Sequence, residues 1–269
     1  MKKINDIWEN YKKIGLIVSN TFLNIYKAKN KLTKEYVIIK EIKKIKINFS
    51  EKEILKEIEI MEKLESESSI SLMEAIEAKD SYYIITEYYC YMTLEEYIKK
   101  RKNPLSIIEI KEFLLELNKI LKKMNDNKII HRNLKLSNIL LSLNKERIDK
   151  SSFKISDFGL ININEGNISS KVNSLTMSFE ILKREENLIS SKSDIWSLGI
   201  IIYYLLFKEY PYNDGKYNII KQNEENIILK NIDNKELNEL VKKMLNPNVE
   251  KRISWEEYFN HSFFINQFN

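Results

Sequence analysis

His131-Arg132-Asn133-Leu134-Lys135-Leu136-Ser137-Asn138 and, nineteen residues past Asn138, Asp157-Phe158-Gly159-Leu160 are the two blocks on which the reading of this chain turns. Asp-Phe-Gly alone is a tripeptide that recurs by chance; its weight here comes from the spacing. An apolar run follows Asn138, and the charged stretch Asn144 to Lys150 breaks the segment before Asp157, so a β-hairpin is expected between the blocks.

On the N-terminal side the pattern is strand-like. Ile14 to Val18, Asn24 to Lys29 and Tyr36 to Ile42 are rich in β-branched and aromatic residues, with a polar turn at Asn30 to Lys34, and predict an antiparallel meander. From Ser50 the period becomes helical, with Ile54, Leu55, Ile58, Met61 and Leu64 on one face and Ser50 with Glu53 as a capping box. Two further strands are expected at Ile70 to Ala75 and Tyr82 to Thr86. The remainder predicts helices at Leu94 to Lys100, Ser106 to Asn125, Ser193 to Phe207, Lys235 to Leu245 and Trp255 to Phe259. The expected class is α+β in two lobes: a small β-rich lobe over about residues 1–88, a hinge at 87–92 and a larger α-rich lobe over 92–269.

Composition narrows the function classes. Of 269 residues, 43% are hydrophobic and 31% charged, which excludes a disordered chain. The 44 Lys and Arg against 39 Asp and Glu are interleaved, so the net charge of +5 implies no nucleic-acid partner. The Lys99 to Lys102 cluster ends a predicted helix and reads as a solvated terminus favoured by the helix dipole. No apolar stretch approaches the roughly 20 residues of a membrane span. A lone Cys90 and the absence of a secretory pattern at the start lead to an intracellular, cytoplasmic expectation.

The two blocks resemble the catalytic loop HRDLKxxN and the metal-binding turn DFG of the eukaryotic protein kinases. The resemblance extends over nearly the whole chain. Val37-Ile38-Ile39-Lys40 stands where that family has VAIK, Glu57 where it has the glutamate that pairs with the lysine, and Ser193-Asp194-Ile195-Trp196-Ser197-Leu198-Gly199 where it has a buried central helix. Ser178-Phe179-Glu180 stands for APE, and Asn246-Pro247 with Arg252-Ile253-Ser254 matches the closing helices, with Arg252 placed to pair with Glu180.

The resemblance implies ATP and Mg²⁺ as cofactors and a protein as substrate or partner. Lys40, held by Glu57, would neutralise phosphates. Asn138 and Asp157 would supply oxygen ligands to a hard octahedral cation. Val18, Ile25, Ile38, Thr86 and Leu140 would line the adenine position, with backbone groups of Glu87 and Tyr89 meeting the base. Lys135 is the feature that places the chain nearest the Ser/Thr class. Met61, Leu72, His131 and Phe158 take packing positions, and Asp194 and Trp196 form the central anchor.

Four features depart from the family. Asn133 replaces the catalytic Asp, and an amide does not accept a proton at neutral pH; a positioned acid–base group contributes about 10² to 10⁴ in rate. Counting back from Ile25, fifteen residues before Lys40, puts Val18, Asn20 and Leu23 at the three glycines of the phosphate-covering loop, while Gly15 lies outside that register. Glycines there let backbone N–H groups approach phosphate without a Cβ in the way. Ile38 replaces the alanine against adenine, and overpacking of that kind costs about 1 to 3 kcal/mol. Asn173 replaces the threonine that joins the catalytic Asp and Lys. Arg132 remains, so phosphorylation of Ser169, Ser170, Ser174 or Thr176 is an option, although a solvated Ser-rich loop is the simpler expectation. The expected function is a catalytically impaired pseudokinase acting as a scaffold or allosteric module, with residual ATP and Mg²⁺ binding left open. The alternative is an active Ser/Thr kinase.

Overall fold

The computed structural model describes residues 1–3, 6–44, 51–65, 69–89, 92–142, 152–157, 175–212 and 227–265. The chain divides into two compact units, Met1–Cys90 and Tyr91–Asn269.

The first unit is a six-stranded sheet. Its strands are β1 (Lys2–Lys3), β2 (Tyr11–Ser19), β3 (Leu23–Asn30), β4 (Tyr36–Lys43), β5 (Leu72–Glu77) and β6 (Ser81–Glu87), in the spatial order β1-β5-β6-β4-β3-β2. The β2-β3-β4 meander is present as expected; β4 then pairs with β6, and β5, which follows helix α1 (Glu51–Lys63) in sequence, lies on the far side of β6. The two-residue β1, parallel to β5, was not legible in the sequence because Lys-Lys carries no strand signal.

Antiparallel partners share a face, so the register sorts the side chains. Val18, Ile25, Ile38, Lys40 and Thr86 fall on one face, through the pairs Val18↔Ile25, Ile25↔Lys40 and Ile38↔Thr86. Glu57 of α1 reaches Lys40, so α1 covers this face. The opposite face carries the buried cluster Ile7, Tyr11, Ala28, Val37, Ile39, Ile76, Tyr83 and Ile85, with Trp8 and Tyr26 packed against it. Burial of each such aliphatic side chain contributes about 1.5 to 3 kcal/mol.

The second unit is mainly helical: α2 (Leu94–Lys100), α3 (Ile107–Asp126), α4 (Phe179–Leu182), α5 (Lys192–Phe207), α6 (Lys235–Met244), α7 (Trp255–Phe259) and α8 (Ser262–Ile265). It also holds a small sheet of β7 (Met92–Thr93), β8 (Ile139–Ser142) and β9 (Ser152–Ile155), in which β8 and β9 form the expected antiparallel hairpin. Its charged turn lies outside the described residues, as do Cys90, Ser50, Phe158, Gly159, Asn173, Ser169, Ser170 and Ser174. Capping boxes start α2 at Thr93, α3 at Ser106 and α7 at Ser254, satisfying N–H groups that a helix start leaves open.

Helix α5 is buried on all sides, from Ser193 through Tyr203. Gly199 makes that possible: a Cβ there would lie 2.8 Å from Leu245 Cδ2 and 3.1 Å from Met244 Cβ, the C-terminal end of α6. No helix among the described residues is long and apolar enough to cross a membrane.

Candidate functional site

In the first unit, Lys40 lies on β4 and its Nζ is 2.9 Å from Glu57 Oε1. Glu57 is 3% exposed and Lys40 13%, so the pair is desolvated and each charge depends on the other. Ile25 and Ile38 are half-buried on the same face, Val18 is exposed, and Thr86 ends that row on β6. Glu87 and Ser71 exchange two contacts: the Glu87 N–H donates to the Ser71 carbonyl at 3.1 Å, and the Ser71 N–H donates to Glu87 Oε1 at 2.8 Å. Tyr89 is half-buried two residues beyond β6.

The turn from β2 to β3 is closed on itself. Asn20 Oδ1 accepts from the N–H groups of Phe22 at 2.9 Å and Leu23 at 2.7 Å, and the Asn20 N–H donates to the Leu23 carbonyl at 2.9 Å. Its base is tied down by a polar chain in which Ser19 Oγ donates to Asn24 Oδ1 and Asn24 Nδ2 donates to Glu41 Oε2, at 2.8 and 2.7 Å. Glu41 also accepts from Tyr26 and Tyr83; burial acts to raise its pKa, and these bonds outweigh it and hold the carboxylate below its ordinary value. Sequence reasoning placed Asn20 only as a missing glycine. The signal that would have found its role is the tendency of Asn side chains to accept from backbone N–H groups two and three residues on.

In the second unit the loop 131–138 is fixed from below. Asp194 on α5, buried, accepts from the backbone N–H of His131 at 2.7 Å and of Arg132 at 2.8 Å. This holds Arg132 in the left-handed region at φ 62°, a conformation that costs an ordinary side chain of order 1 to 2 kcal/mol. His131 is fully buried; its Nδ1 accepts from the Asn133 N–H at 3.2 Å, so the hydrogen sits on Nε2, which meets the Ser156 carbonyl at 3.1 Å. Burial lowers the His131 pKa to about 4 and keeps the ring neutral, while burial raises Asp194 to about 7 against the two N–H bonds that favour its charge. His131 is thus a packing and hydrogen-bonding residue.

Asn133 is 5% exposed, and its Nδ2 has no hydrogen-bond partner among the described residues. Its carbonyl accepts from Asn138 Nδ2 at 2.9 Å. That bond commits the nitrogen of the Asn138 amide and leaves Oδ1 as the atom able to meet a cation. The Ser156 N–H donates to the Asn138 carbonyl at 2.9 Å, which sets Asp157, at φ 57°, beside the same loop. This pair of oxygen donors fits Mg²⁺, which binds through one or two protein oxygens together with phosphates and water. In the β2–β3 turn the N–H groups of Asn20, Phe22 and Leu23 already have acceptors, so these three do not stand open to a phosphate. Lys135 is half-buried and precedes the short 3-10 turn Leu136–Asn138, and Leu140 on β8 faces Thr93 and Lys154 across the small sheet.

Glu180 and Arg252 form the expected pair, bidentate at 2.7 and 3.2 Å and almost fully buried. Ser193 Oγ donates to the same carboxylate at 2.7 Å, and Arg252 donates further to the carbonyls of Lys192 and Asn246. One reading changes. Thr176 is 5% exposed, so it is neither part of a solvated loop nor open to modification where it stands. The Lys99 to Lys102 cluster is the solvated helix end expected, with Lys99, Lys100 and Lys102 exposed, Lys99 paired with Glu95 and Arg101 with Glu109.

Comparison with known proteins agrees with this architecture. Residues 9–264 match the protein kinase domain family. The chain is 33% identical over 213 residues to the probable serine/threonine-protein kinase MARK-C of Dictyostelium discoideum, an alignment covering 74% of this chain and 26% of that protein. It is 32% identical over 209 residues to human NUAK family SNF1-like kinase 1, covering 75% and 30%. With a putative serine/threonine-protein kinase, R517/R518, of Acanthamoeba polyphaga mimivirus it shares 28% over 275 residues, covering 91% and 61%. The chain therefore spans less than two thirds of the length of each of these relatives. With a sheet-based first unit, a helical second unit and a family match over almost its entire length, this chain belongs to the protein kinase domain family, among relatives that are serine/threonine kinases.

Proposed function

We propose that this domain is a catalytically impaired kinase, a pseudokinase that works by binding a protein partner, as a scaffold or an allosteric module, in an intracellular setting. One observation carries the reading. The loop 131–138 is held in shape by bonds that do not use the side chain at position 133: Asp194 grips the N–H groups of His131 and Arg132, and the Asn133 carbonyl holds Asn138. The side chain itself is an amide, which orients a hydroxyl and takes no proton from it. Shape is retained where the family's base is missing.

Lys40, Asn138 and Asp157 are the residues that would hold ATP phosphates and Mg²⁺, and Val18, Ile25, Ile38, Thr86, Glu87, Tyr89 and Leu140 those that would meet adenine. Bound Mg·ATP would supply a phosphoryl group and the charge neutralisation for its transfer. A second reading, a slow Ser/Thr kinase with Asn133 and Lys135 orienting the acceptor, is favoured by the formed Lys40–Glu57 pair at 2.9 Å.

Thermal unfolding with ADP or ATP, each with and without Mg²⁺, tests the ligand half; ligand at 100 times its Kd stabilises by about 2.7 kcal/mol. Phosphotransfer by the wild type and by Asn133→Asp tests the chemistry. The binding-module reading expects no turnover from the wild type. Turnover that rises about 10² or more in Asn133→Asp would replace it with the slow-kinase reading.

A further inference from the structure

The β2–β3 turn and the β3–β4 turn are closed by the same device. In the first, Asn20 Oδ1 accepts from the N–H groups of Phe22 and Leu23, at 2.9 and 2.7 Å. In the second, Asn30 Oδ1 accepts from those of Leu32 and Thr33, at 2.8 and 3.1 Å. The second turn is an ordinary exposed hairpin connection. The first stands where the kinase family covers phosphate with open N–H groups, and it has been given the bonding of the second.

Further bonds join these. The Asn20 N–H donates to the Leu23 carbonyl, the Phe22 carbonyl accepts from the Lys43 N–H at 3.0 Å, and Lys43 Nζ lies 3.4 Å from the Asn20 carbonyl. The N–H groups of residues 20, 22 and 23 are all committed within the turn. A carbonyl oxygen aimed at two N–H groups occupies the position an anionic oxygen would need, and its lone pairs repel one.

We propose that Asn20 is a specificity-determining residue: its side-chain oxygen is a built-in substitute for a phosphate oxygen, and it makes this turn reject polyphosphate. The inference rests on the reading of the turn as the counterpart of the family's phosphate-covering loop. It assigns the loss of phosphate binding there to one bonded atom rather than to the bulk of Val18 and Leu23. The consequence is a preference in the first unit for ligands without a phosphate chain, nucleosides over nucleoside triphosphates, at least as far as this turn contributes.

The test uses the full chain, isotope-labelled, with the backbone amides of Phe22 and Leu23 followed by NMR and inorganic tripolyphosphate as the probe. In the wild type both amides should be protected from exchange and should not shift with tripolyphosphate. In Asn20→Gly they should exchange about fivefold faster and should move with it. Asn20→Asp, which keeps the acceptor, should behave as the wild type, and Asn20→Ala serves if the glycine variant misfolds. Wild-type amides that shift with tripolyphosphate, or variant amides that open and remain silent to it, would overturn the proposal. Because the readout involves neither adenine nor phosphotransfer, it can fail while the binding-module reading stands, and the reverse holds if the wild type turns over ATP.

Discussion

The polar cluster around Arg252 and Glu180 in the second unit is buried, multiply bonded and remote from solvent, whereas the polar groups of the β2–β3 turn in the first unit are exposed and bonded locally. Arg252 and Glu180 are 1% exposed or less and share five hydrogen bonds with each other, Ser193, Lys192 and Asn246. Asn20 is exposed, and its side-chain oxygen accepts from N–H groups of its own turn. Groups of the first kind cannot be changed singly without stranding a charge in the interior. Groups of the second kind can be exchanged at little cost. The buried anchors are therefore kept while an exposed, self-bonded turn is free to change, and stability measurements separate the two classes.

The largest effect is expected at Arg252. Arg252→Ala leaves the Glu180 carboxylate buried beside Ser193 alone, and should cost about 3 to 5 kcal/mol in denaturant unfolding. A loss below 1 kcal/mol would mean the pair is no anchor.

His131 comes next, through pH. The imidazole protonates near 6.5 in the unfolded chain and only at about 4 when buried, so protons favour the unfolded state in that window and its stabilising contribution is lost as pH falls from 6.5 towards 4. Asp194 runs the other way. Burial raises it from 3.8 to about 7, so the folded state holds the extra proton and this contribution is lost as pH rises through the same range. The two oppose each other, so the wild-type profile alone understates both. Compared with His131→Phe, the wild type should lose roughly 3 kcal/mol of its relative stability between pH 7 and pH 4. A constant difference would show that the ring is not held neutral.

Gly199→Ala pushes a methyl into Leu245 and Met244 and should cost about 1 to 3 kcal/mol, read from the denaturant midpoint at unchanged slope. The smallest effects belong to the turns. Asn20→Gly and Asn30→Gly should each cost under about 1 kcal/mol and by similar amounts, since the same bonds are lost. A much larger loss at Asn20 would break the comparison by making that turn structural.

Much of the fold was legible from residue order. Helices α2 and α7 coincide with the periodic segments Leu94 to Lys100 and Trp255 to Phe259, because local apolar spacing and caps specify a helix without reference to the rest of the chain. Strands β2, β3, β4 and β6 were found within a few residues. The short elements β1, β7, α4 and α8 were not, since two to four residues carry too little pattern and form only where neighbours supply bonds.

The site divides in the same way. The types and order of Lys40, Glu57, Asn133, Asn138 and Asp157 stood in the sequence, and so did the missing glycines, because chemistry is written in residue identity. Which atom of the Asn138 amide is committed, which tautomer His131 adopts and which oxygen fills the β2–β3 turn were decided by tertiary structure alone. Each depends on a bond a few ångströms long between groups that sequence spacing does not orient: Asn138 Nδ2 on the Asn133 carbonyl, the Asn133 N–H on His131 Nδ1, and Asn20 Oδ1 on two N–H groups of its own turn. Residue identity determined what this chain can hold, and hydrogen-bond direction decided what it leaves open.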